Sequence, residues 1–168
     1  MMLMTVLMRA RNALVRLLEV AIIVALGFLV LDVVWQVFTR FVLRSPSRWT
    51  EELATMLLIW VSVLGASLAY ARKAHLGVDA LVNRLDAPSR RLVEIAAHAL
   101  VAFFAVSVLI AGGMTLVTRT LSLRQLSPAM GIEMGYVYLV LPISGVFFLI
   151  FAIEMIAESV VGLREEKA

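Results

Sequence analysis

The sequence predicts an all-α membrane protein: four transmembrane helices, short amphipathic interfacial helices, and N- and C-termini in the cytoplasm. Composition is the first ground for this. Of 168 residues, 62% are hydrophobic and 16% charged, against roughly 25% charged in a soluble domain, and the mean hydropathy is +0.99. Length is the second. Four apolar runs, residues 17–38, 53–70, 92–117 and 136–160, reach or approach the ~20 residues that cross a bilayer as a helix, and too little chain is left over for a soluble domain. The third is the distribution of positive charge. With four spans, Arg9, Arg11, Arg16, Arg72, Lys73, Arg84, Arg90, Arg91, Arg164 and Lys167 fall on one side, and Arg40, Arg44, Arg48, Arg119 and Arg124 on the other. The side richer in basic residues is the cytoplasmic one. Residues 1–168 are expected to form a single four-helix transmembrane domain.

Each element has its own signal. In residues 3–16, Thr5, Arg9, Asn12 and Arg16 recur at helical spacing opposite Leu3, Val6, Ala10, Ala13 and Leu17, the pattern of a helix lying along the membrane surface. The first span follows arginines, as a signal peptide would, but continues through Trp35 without a small-residue cleavage site, so it reads as an uncleaved anchor. The second opens on Thr50, Glu51 and Glu52, acids expected in a first turn where the helix dipole stabilises them by roughly 0.3–1 kcal/mol. In residues 77–86, Val78, Leu81, Val82 and Leu85 make an i, i+3, i+4, i+7 stripe, a second interfacial helix. Asp86-Ala87-Pro88 ends it and begins the third span, Pro88 being tolerated in a first turn.

The third and fourth runs exceed a perpendicular crossing and are expected to tilt. Gly112-Gly113 is expected to loosen the end of the third, and Pro142 to kink the fourth. Between them, Ser127-Pro128-Ala129-Met130-Gly131 reads as a turn and helix start, with Gly131 and Gly135 as a small-residue pair for close backbone approach.

Little in the chain supports catalysis. Cysteine is absent, which removes disulfides and thiolate chemistry. The two histidines, His75 and His98, fit no nucleophilic triad, metal set or bis-histidine haem site. Glu94 and His98, four apart, can hydrogen-bond to each other, and His75 beside Arg72 and Lys73 could titrate near neutrality. The charge of +3 is a small imbalance and no nucleic-acid signature. No cofactor or metal is expected, and the chain lacks the inverted repeats that build many transport sites, so it reads as a subunit.

Two polar constellations remain. Asp32, costly in a span by about 2.5–3.5 kcal/mol, begins a stripe through Gln36 and Thr39 to Arg40; it reads as an interface contact or, alternatively, as a proton or ion relay. On the second span Met56, Trp60, Val63 and Ser67 fall within about 40° of Trp49, with Glu52 nearby, a face fit to dock on another membrane protein. The opposite face, with Ala54, Leu58, Gly65 and Ala69, allows close helix approach. Competing readings are a self-sufficient four-span exporter using Asp32 and a haem or quinone membrane subunit.

Arg40-Phe41-Val42, Trp49-Thr50-Glu51-Glu52, Trp60, Leu64-Gly65-Ala66, Arg72, His75 and Val78-Asp79, followed by Ser127-Pro128-Ala129, Gly131, Gly135-Tyr136, Tyr138 and Leu141-Pro142, resemble the signature of the small membrane subunit of tripartite ATP-independent periplasmic (TRAP) transporters. Lys73-Ala74 before His75 departs from the small turn residues expected there. The resemblance implies a secondary transporter of the bacterial inner membrane that imports an organic anion with an ion gradient, commonly sodium, and without ATP. Its implied partners are a large membrane subunit that holds the substrate and ion sites, and a periplasmic binding protein. The small subunit would be a scaffold in the lipid bilayer. Asp32, Gln36, Arg40, Trp49, Glu52, Trp60 and Gly65 are the candidate contacts to the large subunit, and Arg44, Arg48, Arg119 and Arg124 the candidate docking charges for the binding protein.

Overall fold

A computed structural model describes residues 2–45, 47–72 and 87–165, with side chains at 9, 11–45, 47–72 and 89–160. The interfacial helix expected at 77–86, and His75, lie outside the described residues. Those described are helical apart from two connections: α1 (Met2–Phe41), α2 (Arg48–Ala71), α3 (Ala87–Phe104), a π-helical segment (Ala105–Gly112), α4 (Gly113–Ser122), α5 (Met134–Tyr138) and α6 (Val140–Glu165). Four stretches are long and apolar enough to cross a membrane, namely Arg11–Phe41, Arg48–Ala71, Ser89–Ser122 and Met134–Val160. The protein is thus an all-α, multi-pass membrane protein.

The helices overrun the apolar runs for local reasons. No glycine or proline precedes Gly27, so nothing interrupts the helix that begins at Met2. The stretch expected as a separate surface helix, 3–16, continues without a break into the first span, and α1 reaches 40 residues, about 60 Å. It ends shortly before Pro46, which biases the preceding residue away from helix. Hydroxyls inside the spans turn back onto their own helices: Ser67 Oγ donates to the Val63 carbonyl and Thr115 Oγ1 to that of Ala111. Such bonds satisfy polar side chains where water is absent.

The chain divides into two compact units, Met1–Leu68 with Leu116–Val140, and Ala69–Thr115 with Leu141–Ala168. In the second unit Tyr70, 1% exposed, anchors the end of α2. Its hydroxyl lies 2.9 Å from His98 Nδ1, and its ring is 5.3 Å from that of Phe148. His98 therefore bonds to Tyr70, where the sequence suggested Glu94. Glu94 pairs instead with Arg90 Nε at 3.0 Å, an exposed i, i+4 contact of small energetic consequence.

Two glycines in this unit stand at close helix approaches. A Cβ on Gly113 would stand 3.0 Å from Leu141 Cβ and from Pro142 Cδ, and one on Gly145 would stand 2.8 Å from Ile110 Cγ1. Gly113 is thus a seat for the Pro142 ring. The π segment carries the second of these contacts, at Leu109 and Ile110, and ends beside the first. Ser107 Oγ takes the Phe103 carbonyl at 2.6 Å, competing with the regular i−4 amide bond, and the Gly113 amide reaches back to Val108, the i−5 pattern of a π turn. Pro142 acts as expected. It has no N–H for the Tyr138 carbonyl, and the helix is interrupted at Leu139 between α5 and α6.

Candidate functional site

The most constrained polar structure joins α2 to the connection between the third and fourth spans, all within the first unit. α4 closes with the Gln125 amide donating to the Thr120 carbonyl and the Arg124 amide to that of Leu121, at 3.2 and 3.0 Å. This is the paired Schellman closure, with Arg124 in the left-handed conformation at φ 46. The chain then folds into a small hairpin. Leu126 and Glu133 form an isolated antiparallel bridge, the Ser127 amide donates to Ile132, and the Gly131 amide returns to the Ser127 carbonyl. Gly131, at φ +68, supplies a left-handed turn position that glycine adopts without penalty.

The tip of this hairpin presents two amides to one carboxylate. Ala129 N–H donates to Glu52 Oε1 at 2.8 Å, and Met130 N–H to Glu52 Oε2 at 3.0 Å. Successive amides converging on an anion are a favourable arrangement for negative charge. Because α2 begins at Arg48, Glu52 stands one turn in, facing the hairpin. It is a long-range clasp, 78 residues from Met130, and not the first-turn acid expected from sequence; Glu51 keeps that role. Thr50, fully buried, donates to the Ser47 carbonyl at 2.8 Å and holds the helix start. Beside the clasp runs an open groove of about 520 Å³, lined by Arg48, Glu51, Thr55, Met56, Ile59 and Met134 among others.

The remaining candidates separate by exposure. Asp32 and Thr39 are 7% and 5% exposed, Gln36 is half-buried, and Arg40 is exposed, its guanidinium 5.9 Å from the Phe41 ring centre. The stripe read from sequence thus faces inward at Asp32 and Thr39 and outward at Arg40. Thr39 is satisfied locally through the Gln36 carbonyl. Asp32 Oδ2 is buried and has no hydrogen-bond partner among the described residues. On α2, Met56 and Ser67 are buried, Trp60 and Gly65 half-buried, and Trp49 exposed. Asp32 and Glu52 thus direct their carboxylates inside the chain, whereas Arg40 and Trp49 are exposed. A Cβ on Gly65 would meet nothing within 4 Å.

Arg44, Arg48, Arg119 and Arg124 are all exposed. The sequence alone marked both halves of the clasp as motifs but held no signal for their pairing.

Among the described residues, four helices are long and apolar enough to cross a membrane, and the clasp ties the connection between the third and fourth of them to α2. Residues 29–162 match the family described as tripartite ATP-independent periplasmic transporters, DctQ component. The chain belongs to that family, as a transporter component and not an enzyme, which sets aside the exporter and the haem or quinone readings. It is 32% identical over 94 residues to the C4-dicarboxylate TRAP transporter small permease protein DctQ of Rhodobacter capsulatus, covering 56% of this chain and 41% of that protein. To the sialic acid TRAP transporter small permease protein SiaQ of Vibrio cholerae it is 25% identical over 138 residues, 82% of this chain and 78% of the relative. A stretch of 59 residues, 35% of this chain, is 36% identical to the sialic acid TRAP transporter permease protein SiaT of Haemophilus influenzae, of which it spans 10%.

Proposed function

We propose that this chain is the small subunit of a transporter of the bacterial inner membrane that imports an organic anion, a carboxylate, with an ion gradient, sodium in the first instance. It acts as a scaffold packed on a large transport subunit, with both termini cytoplasmic, and its arginine-bearing connections help to dock a periplasmic binding protein. The observation that carries this reading is the clasp. A motif at the start of α2 and a motif 78 residues later meet to fix a connection. Two further observations support it. The relatives named for C4-dicarboxylate and sialic acid are named for carboxylates, and the match inside SiaT places a similar segment within a much longer permease chain.

Reconstitution tests the reading. Proteoliposomes holding this chain alone are expected to show no uptake, and those holding it with the large subunit are expected to show sodium-driven uptake once binding protein is added. Substantial uptake by the isolated chain would refute partner dependence. Rim charges act mainly on association rate and salt dependence, so Arg48→Glu or Arg124→Glu should slow uptake at low binding-protein concentration and be rescued in part by excess. A concentration dependence unchanged in both variants would assign docking to the large subunit.

A further inference from the structure

The groove beside the clasp is graded along its length. Its lining follows one side of α2 through Arg48, Glu51, Thr55, Met56 and Ile59, and the rise from the first of these to the last is about 16 Å. Arg48 opens a stretch long and apolar enough to cross a membrane, and Met134, also in the lining, opens another. The groove therefore begins at a membrane boundary and descends toward hydrocarbon, from a charged end at Arg48 and Glu51 to an apolar one at Met56 and Ile59. The charged end holds both signs. Arg48 and Glu51 are exposed, and neither has an ion pair among the described residues. Glu52, the third charged group in the lining, is engaged by the Ala129 and Met130 amides, and Glu133 lies outside the lining.

We propose that this groove binds a phospholipid whose headgroup carries a phosphate and a primary ammonium, as phosphatidylethanolamine does. The Arg48 guanidinium takes the phosphate, to which its fork of donors is suited. The Glu51 carboxylate takes the ammonium. Thr55 Oγ1, whose own proton goes to the Glu51 carbonyl, keeps a lone pair to accept a second ammonium N–H. The start of one acyl chain lies against Met56, Ile59 and Met134. A volume of about 520 Å³ is in the range of small-ligand sites and suits a headgroup with the first part of a chain, the rest of the lipid staying in the bilayer. Charge decides among lipids. With one base and two acids in the lining, an anionic headgroup would bring Glu51 a second negative group and no cation. A choline headgroup brings the cation but no N–H for Glu51 or Thr55 to accept.

Native mass spectrometry of the full chain in detergent, titrated with phospholipids of identical acyl chains, tests the site. Phosphatidylethanolamine is expected to bind about tenfold more tightly than phosphatidylcholine or phosphatidylglycerol, the scale of one charge-assisted hydrogen bond. Affinity should decline through the mono- and dimethylated ethanolamine headgroups as N–H donors are replaced. This series needs only the wild-type protein, so it decides the matter even if a variant fails to fold. Glu51→Gln is expected to bring the ethanolamine lipid down to about the level of the choline lipid and to leave the choline lipid unchanged. Arg48→Gln is expected to weaken both by about tenfold, because both carry the phosphate. Equal affinity for the three headgroups, a flat methylation series, or tighter binding of the glycerol lipid overturns the proposal. An ethanolamine preference that survives both variants overturns it as well, since the lipid would then sit elsewhere on the chain.

Discussion

Gly145→Leu is expected to cost about 3 kcal/mol, the upper part of the usual range for over-packing, and to lower the unfolding temperature of the purified protein by roughly 6–12 °C. The reason is the kind of atom that faces Gly145. A Cβ there would lie 2.8 Å from Ile110 Cγ1, 2.9 Å from Leu109 Cβ and 3.2 Å from the Ile110 amide nitrogen. Two of these three are backbone or attached directly to it, so no rotamer change clears the space. Gly113→Val should behave alike, because its neighbours are Leu141 Cβ and the Pro142 ring. Gly27→Ala is the control. Nothing lies within 4 Å of its added methyl, and alanine favours helix over glycine by up to about 1 kcal/mol, so its unfolding temperature should hold or rise. Thermal unfolding of the four proteins in one detergent checks the set. A Gly145→Leu protein as stable as wild type would show that α6 and the π segment do not pack closely there.

What the sequence discloses about this fold is what can be read locally. The four spans are visible because a run of apolar residues signals its surroundings without reference to the rest of the chain, and the break before Pro142 follows from one missing N–H. Partnerships across the chain are another matter. Gly113 looks like a flexible point until Pro142 is known to stand against it. Gly131 and Gly135 look like a pair but act separately: Gly131 makes a turn, while Gly135 gives room to the Leu121 side chain and the Val117 carbonyl. His98 has a plausible local partner in Glu94 at i+4 spacing, and loses it to a tyrosine 28 residues away because Arg90 offers Glu94 an opposite charge.

The candidate site divides in the same way. Glu52 and Ser127-Pro128-Ala129 each stand out as motifs, and only the fold explains why both are needed. A carboxylate at the start of a helix has a sufficient local explanation in the dipole, and that explanation hides the second one. The positive-φ arginines are similarly silent in sequence. Arg44 and Arg124, at φ 50 and 46, occupy helix-end positions where glycine is usual. Arg124 therefore carries local strain at the root of the hairpin that the clasp secures.

Asp32→Asn is expected to raise the unfolding temperature of the isolated subunit and to leave the steepness of sodium dependence unchanged in the assembled transporter. Asp32 is 7% exposed and lies within the first membrane-crossing stretch, with Oδ2 lacking a hydrogen-bond partner among the described residues. An unsatisfied buried polar atom costs about 1–3 kcal/mol, and more when it is charged. The amide keeps the shape of the side chain and gives up the charge. A relief of even ~1 kcal/mol corresponds to roughly 2–4 °C in a chain of this length, which a melting curve resolves. Two measurements on the same variant separate the roles a buried aspartate can have. If Asp32 is structural, melting shifts upward and uptake plotted against sodium keeps its slope. Should Asp32→Asn assemble with the large subunit normally and yet flatten or abolish the sodium dependence, the carboxylate takes part in ion coupling, and the assignment of this subunit to a passive scaffold is wrong.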